Sequence, residues 1–191
     1  MSLKLSEGSN YTPAPAGLHD AVCIGVIDLG MQSGNFGVKP KILIQWELPN
    51  VLNDEGKPYQ ISRTFGANLH KQGSLRPILA AWRGRDFTPE ELKQFDVAAL
   101  LGKPVKLLIQ HSTSAEGKTF ANVQATVKPD AGQLTQTLAP KLHFDMDSPD
   151  ESVKAQLPEW IRKLIDSAVR NEKPAPAATT AAPAFDDDLT F

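Results

Sequence analysis

Two groups of residues of opposite charge hold most of the chemistry in this 191-residue chain. Between Arg63 and Arg85 lie five bases, Arg63, Lys71, Arg76, Arg83 and Arg85, together with His70, and no acid interrupts them. The segment Phe185-Asp186-Asp187-Asp188-Leu189-Thr190-Phe191 instead sets three consecutive acids between aromatic residues. The carboxylate of Phe191 is expected to add a further negative charge. The first group suits phosphates, which cations neutralise while releasing counterions. The second suits capture by a partner: acids for a basic groove, a ring for an apolar pocket, a carboxylate for Arg or Lys. The formal net charge of −2 hides this asymmetry. Residues 11–129 carry thirteen Lys plus Arg against ten Asp plus Glu, whereas residues 172–191 carry four acids and one Lys. A basic stripe and an acidic tail on one chain form an electrostatic footprint for polyanion binding.

Binding a single strand without reading its sequence requires cations that follow phosphates and flat side chains on which bases lie. The basic candidates are Lys39, Lys41, Arg63, Lys71, Arg76, Arg83 and Arg85; the rings are Phe36, Trp46, Tyr59 and Phe65. Trp46 is in phase with Ile42, Ile44 and Leu48, which assigns it to a core. Trp82 shares a helical phase with Leu75, Ile78 and Leu79 and is expected to pack a connecting helix. Tyr59 and Phe65 remain as groove candidates, and Arg83 and Arg85 flank Gly84 at an exposed helix end.

Catalytic readings find little to build on. His143, Asp145 and Asp147 present one imidazole and two carboxylates, but no second cluster completes a ligand set, so no metal and no cofactor are expected. His19, His70 and His111 have no Ser or Cys partner in a nucleophile motif. No GxxxxGK[ST] loop occurs. A non-enzymatic protein is expected.

These side chains must be positioned by strands and short helices. Residues 18–29 alternate, with Val22, Ile24 and Val26 on one face and Gly25 as a site for a bend or bulge. In the next strand Ile42, Ile44, Trp46 and Leu48 face one way, and Lys41, Leu43, Gln45 and Glu47 the other. Asn53-Asp54-Glu55-Gly56 is turn chemistry before a third strand over 59–65. Ser74 is expected to cap a helix carrying Leu75 to Trp82. Thr88-Pro89-Glu90-Glu91 is a capping box with Pro at the first helical position, and Gly102-Lys103-Pro104 ends that segment. Strands over 105–112 and 119–128 follow, joined at Glu116-Gly117, with Ala121, Val123, Ala125 and Val127 sharing a face. Residues 129–147 read as irregular. Ser148-Pro149-Asp150-Glu151 is a second capping box. After Pro158 an amphipathic helix carries Trp160, Ile161, Leu164, Ile165 and Ala168, packing on its own domain or on another copy's.

Three strands, a helical connection and two strands is the order of an OB-fold. The expected fold is mainly β with added helices: a five-stranded Greek-key barrel with a helical insert and a C-terminal helix. The expected organisation is an extended arm over 1–16, the barrel over 17–129, an irregular segment and helix over 130–171, and a tether with acidic tip over 172–191. The Pro- and Ala-rich stretch 173–184 has no periodic apolar face and predicts a flexible linker. A single cysteine, Cys23, allows no internal disulfide, and no apolar run reaches the ~18 residues of a membrane span. A cytoplasmic protein is expected.

The tail resembles the C-terminal tip of bacterial single-stranded DNA-binding proteins, which runs Asp-Asp-Asp, Ile or Leu, Pro, Phe. Asp186, Asp187, Asp188, Leu189 and Phe191 match, and Thr190 departs where the family has Pro. The body is similar to phage-encoded members of this class at residues 11–17, Ile44-Gln45-Trp46-Glu47-Leu48-Pro49, Trp82-Arg83-Gly84-Arg85-Asp86-Phe87-Thr88, Leu101-Gly102-Lys103-Pro104 and Leu157-Pro158-Glu159-Trp160. The resemblance covers most of residues 11–165. It implies single-stranded DNA as ligand, with little sequence preference, and replication or recombination proteins as partners of the tail.

Overall fold

The computed structural model describes residues 12–35 and 37–169. The tail candidates Phe185 to Phe191 and the ring of Phe36 lie outside the described residues. The fold is mainly β, with strands β1 (Gly17–Gly34), β2 (Gly37–Leu52), β3 (Pro58–Gly66), β4 (Pro104–Thr113), β5 (Thr119–Val127) and β6 (Leu142–Phe144). Helices α1 (Leu75–Arg83) and α2 (Pro89–Gln94) and a 3-10 turn (Val97–Leu100) lie between β3 and β4; α3 (Glu151–Gln156) and α4 (Glu159–Asp166) follow β6. One sheet runs β3-β2-β1-β4-β5 in antiparallel pairs, and β6 joins β1 in parallel. The sheet has six strands rather than five, because Leu142, His143 and Phe144 pair with Gly25, Val26 and Ile27 inside the stretch that reads as irregular.

The sheet does not close. Among the described residues no ladder joins β3 to β5, and a side chain spans the gap instead: Arg63 Nη1 donates to the carbonyls of Val123 and Gln124, at 2.7 and 3.4 Å.

Two apolar clusters lie on opposite faces of the sheet. The larger gathers Ile42, Ile44, Trp46, Leu48, Ile61 and Phe65 against Leu75, Ile78, Leu79 and Trp82 of α1 and against Val105, Leu107 and Ile109. The alternation on β2 sends Leu43 to the second cluster, where Ile27, Leu29 and Phe144 meet Leu157, Ile161 and Ile165. Helix α4 therefore packs on its own chain's sheet. Its Trp160 departs from the expected apolar face and is 48% exposed.

Bulges reset the faces of two strands. On β1 the register shifts between Cys23 and Gly25, so Cys23 and Val26, not Ile24, face the larger cluster. A side chain at Gly25 would meet Gln45 Cβ at 3.0 Å, which explains the glycine. On the β4–β5 pair the register shifts at Leu108/Ile109. Thr126 then turns inward and its hydroxyl donates to Ile78 O at 2.5 Å, while Val127, expected on the apolar face, is 43% exposed.

The caps follow the sequence with two changes. Thr88 Oγ1 accepts from Glu91 N and the Glu91 carboxylate accepts from Thr88 N, which makes the expected capping box. Ser74 precedes α1 in helical geometry and makes no side-chain cap. At α3 the cap is Asp150, accepting from Ser152 N and Val153 N, rather than Ser148. A carboxylate at a helix start gains from the partial positive charge there, which a hydroxyl does not.

Residues 129–141 have no regular structure and are held by side chains. Gln133 Nε2 donates to Ala21 O and Val105 O, on neighbouring strands. Glu47, 1% exposed, accepts from Leu138 N and Ala139 N at 2.7 and 2.8 Å.

Candidate nucleic-acid interface

The hairpin of β1 and β2 extends beyond its neighbours. The Met31↔Pro40 to Gly34↔Gly37 pairs continue past Lys41↔Gly66, where β3 stops. Lys39 is exposed on this arm and Lys41 half-buried at its base. Ala67 N donates to Pro40 O at 2.9 Å, which sets the segment bearing His70 and Lys71 beside the arm. Lys71 and His70 share a shallow cleft with Arg76.

The remaining bases of the stripe separate into other surroundings. Arg63 shares the inward face of β3 with Ile61 and Phe65; its guanidinium lies 5.0 Å from the centre of the Phe65 ring and plugs the open seam. Arg76 is buried and pairs with Asp86 through Nε and Nη2, at 3.0 and 2.9 Å. Arg85 grips Glu91 through two nitrogens at 2.9 and 2.6 Å, and Arg83 Nη2 reaches the same carboxylate at 2.5 Å. Arg63, Lys71, Arg83 and Arg85 therefore do not line one groove. Proximity in sequence along 63–85 becomes three sites because α1 carries the chain across the mouth of the sheet.

These pairings shift the acids. Hydrogen bonds from Arg76, and then from Phe87 N, lower Asp86 from 3.8 to about 2. Arg85, then Thr88 N and Arg83, lower Glu91 from 4.5 to about 2. A carboxyl with a depressed folded pKa stabilises the fold fully above its unfolded value and loses that contribution as pH falls through the folded one. The expected result is a urea midpoint that falls between pH 4.5 and 2. Glu91→Gln should lower the midpoint at pH 7 and flatten the fall; a wild-type midpoint constant across this range would contradict the pairing.

The expected rings also move. Phe65 is 2% exposed, within the core opposite Ile42, so it offers no face to a base. Tyr59 is half-buried against the larger cluster. Among the described residues the exposed rings are Phe120, at 45%, and Trp160. Phe120 stands opposite Ser112 near the β4–β5 turn. The alternation that turns Ala121 and Val123 inward already implies an outward Phe120, a signal the sequence reading did not use.

Two further clefts among the described residues bear on binding. One of about 460 Å³ has Val26, Ile42 and Leu75 in its lining and Asp28, Asp96, His143 and Asp145 at its polar positions, a charge that repels phosphate. Among the described residues no three His, Cys, Asp or Glu lie close enough to hold a metal ion. The other, about 360 Å³, lies where the end of α1, the 3-10 turn, the start of β4 and the end of β5 meet. Trp82, Phe95, Leu100, Pro104 and Pro129 form its apolar walls, and Arg83, Lys103 and Lys128 bring cations. Trp82 Nε1 donates to Pro104 O at 2.7 Å, fixing the indole. The Lys128 stem lies over Gly84, where a Cβ would meet Lys128 Cδ at 2.9 Å and where the left-handed φ of +72° at the helix end favours glycine. The sequence reading missed Lys103 and Lys128 because each stands alone in the chain, next to a proline.

No helix among the described residues is long and apolar enough to cross a membrane. No protein-family model matches this chain, and no curated protein matches its sequence.

Proposed function

We propose that this chain is a phage-type single-stranded DNA-binding protein, non-enzymatic, that coats exposed strands and recruits replication or recombination proteins through its acidic tip. The observation that carries the reading is the strand order β3-β2-β1-β4-β5 with α1 set between β3 and β4. That order, with Arg63 crossing from β3 to β5, supports an OB-type barrel left open at one seam and extended by β6. Oligonucleotide binding is then expected along the β1–β2 arm and the adjoining loop, with Lys39, Lys41 and Lys71 contacting phosphates. The acidic tip and the resemblance of the body's motifs to phage-encoded single-stranded DNA-binding proteins support the same reading.

A protein-binding adaptor is the second reading. It is favoured by the arginines of 63–85, each of which already holds a carboxylate or a carbonyl. Titration with poly-dT separates the two. A DNA-binding protein should raise the anisotropy of labelled poly-dT at low salt, with log affinity falling linearly with log salt at about 0.7 per phosphate contact. No change at low salt would leave the adaptor.

A further inference from the structure

We propose that the cleft between α1, the 3-10 turn and the roots of β4 and β5 is a nucleotide slot, taking one base against Phe95 and its prolines and the adjoining phosphate on Lys103 and Lys128, beside Arg83. This rests on the single-stranded DNA reading above and adds a contact point away from the β1–β2 arm. Cations from three distant segments converge on it: Arg83 closes α1, Lys103 precedes β4, and Lys128 follows β5. Lys103 and Lys128 form no ion pair with the described acids, unlike Arg76 and Arg85. Arg83 is held in place from several sides. Glu91 takes Nη2, and the guanidinium sits 4.3 Å from the Phe87 ring centre and 5.7 Å from that of Phe95. Its Nη1 is buried with no hydrogen-bond partner among the described residues. An anionic oxygen entering the cleft meets Lys103 and Lys128, and charge-assisted bonds of this kind are the strong ones.

The walls select the rest of the ligand. At about 360 Å³ the cleft falls within the ~300–1,000 Å³ of small-molecule sites. Its accessible faces are the half-buried Phe95 and the prolines, with Trp82 only 5% exposed, and the N–H of Trp82 and the carbonyl of Pro104 are already bonded to each other. A peptide entering here would bring backbone amides that find no partners on these walls. A base meets them with its flat face and keeps its polar edges toward water.

Full-length protein and a labelled oligo-dT test this by anisotropy over a salt series. Lys103→Gln/Lys128→Gln should reduce the slope of log affinity against log salt by about 1.4, two contacts at ~0.7 each, whereas Lys118→Gln in the β4–β5 turn should leave it unchanged. Both lysines are exposed, so the fold should survive, and an unchanged circular dichroism spectrum checks this. Photocrosslinking of a 5-bromodeoxyuridine oligomer should label Phe95. If the wild type binds and the double variant keeps its slope, or crosslinks fall only elsewhere, the slot is overturned while DNA binding stands. If the wild type does not bind, the DNA reading fails and the slot with it. A peptide of residues 185–191 that shifts the amide resonances of Lys103 and Lys128, where the oligonucleotide does not, would assign the cleft to peptide and overturn the slot.

Discussion

Trp46→Ala is expected to destabilise the protein by about 3–5 kcal/mol, a large part of the ~5–15 kcal/mol of a typical domain. Trp46 is fully buried between Ile44, Leu48 and Ile61, and its ring centre lies 6.2 Å from that of Trp82. The indole therefore joins β2 to α1, and alanine leaves a cavity that both elements border. Its Nε1 has no hydrogen-bond partner among the described residues. Trp46→Phe removes that buried donor while keeping most of the ring, so its effect should be much smaller, ~1–2 kcal/mol. Urea unfolding followed by circular dichroism measures both. A loss below about 1 kcal/mol for the alanine variant would show that the core collapses around the site, and would deny Trp46 this role.

Glu47→Ala should free the segment over 129–141 and lower stability by roughly 2–3 kcal/mol. The carboxylate is buried, and both of its oxygens accept backbone N–H groups, from Leu138 and Ala139. Hydrogen bonds to charged acceptors are worth ~1.5–3 kcal/mol each, discounted here because Leu138 itself is 81% exposed. Glu47→Gln keeps one acceptor but points an NH2 at the other donor, so it should recover only part of the loss. Hydrogen exchange gives the local readout: the amides of Leu138 and Ala139 should lose protection in both variants. Retained protection would mean that the Gln133 bonds to Ala21 and Val105 hold the segment alone.

Both residues show how much the chain discloses before it folds. The two-residue period puts Trp46 with Ile42, Ile44 and Leu48 on one face and Glu47 on the other, and the structure keeps that division. What Glu47 does there is decided by residues ninety positions away, and nothing in the local pattern points to them. The same limit governs the bases. Their identities and their run between Arg63 and Arg85 are plain in the sequence; that Glu91 accepts from two of them, Asp86 from a third and two carbonyls from a fourth is not.

Periods, turns and caps are fixed by contacts between near neighbours, so the sequence alone determined five strands, the Thr88 box, the Gly117 turn and the opposed charges of body and tail. Interactions between charges and between strand edges depend on distance in space. Only the tertiary structure could decide the sixth strand, the open seam and the meeting of Lys103 and Lys128 with Arg83, because these join segments that the chain keeps far apart.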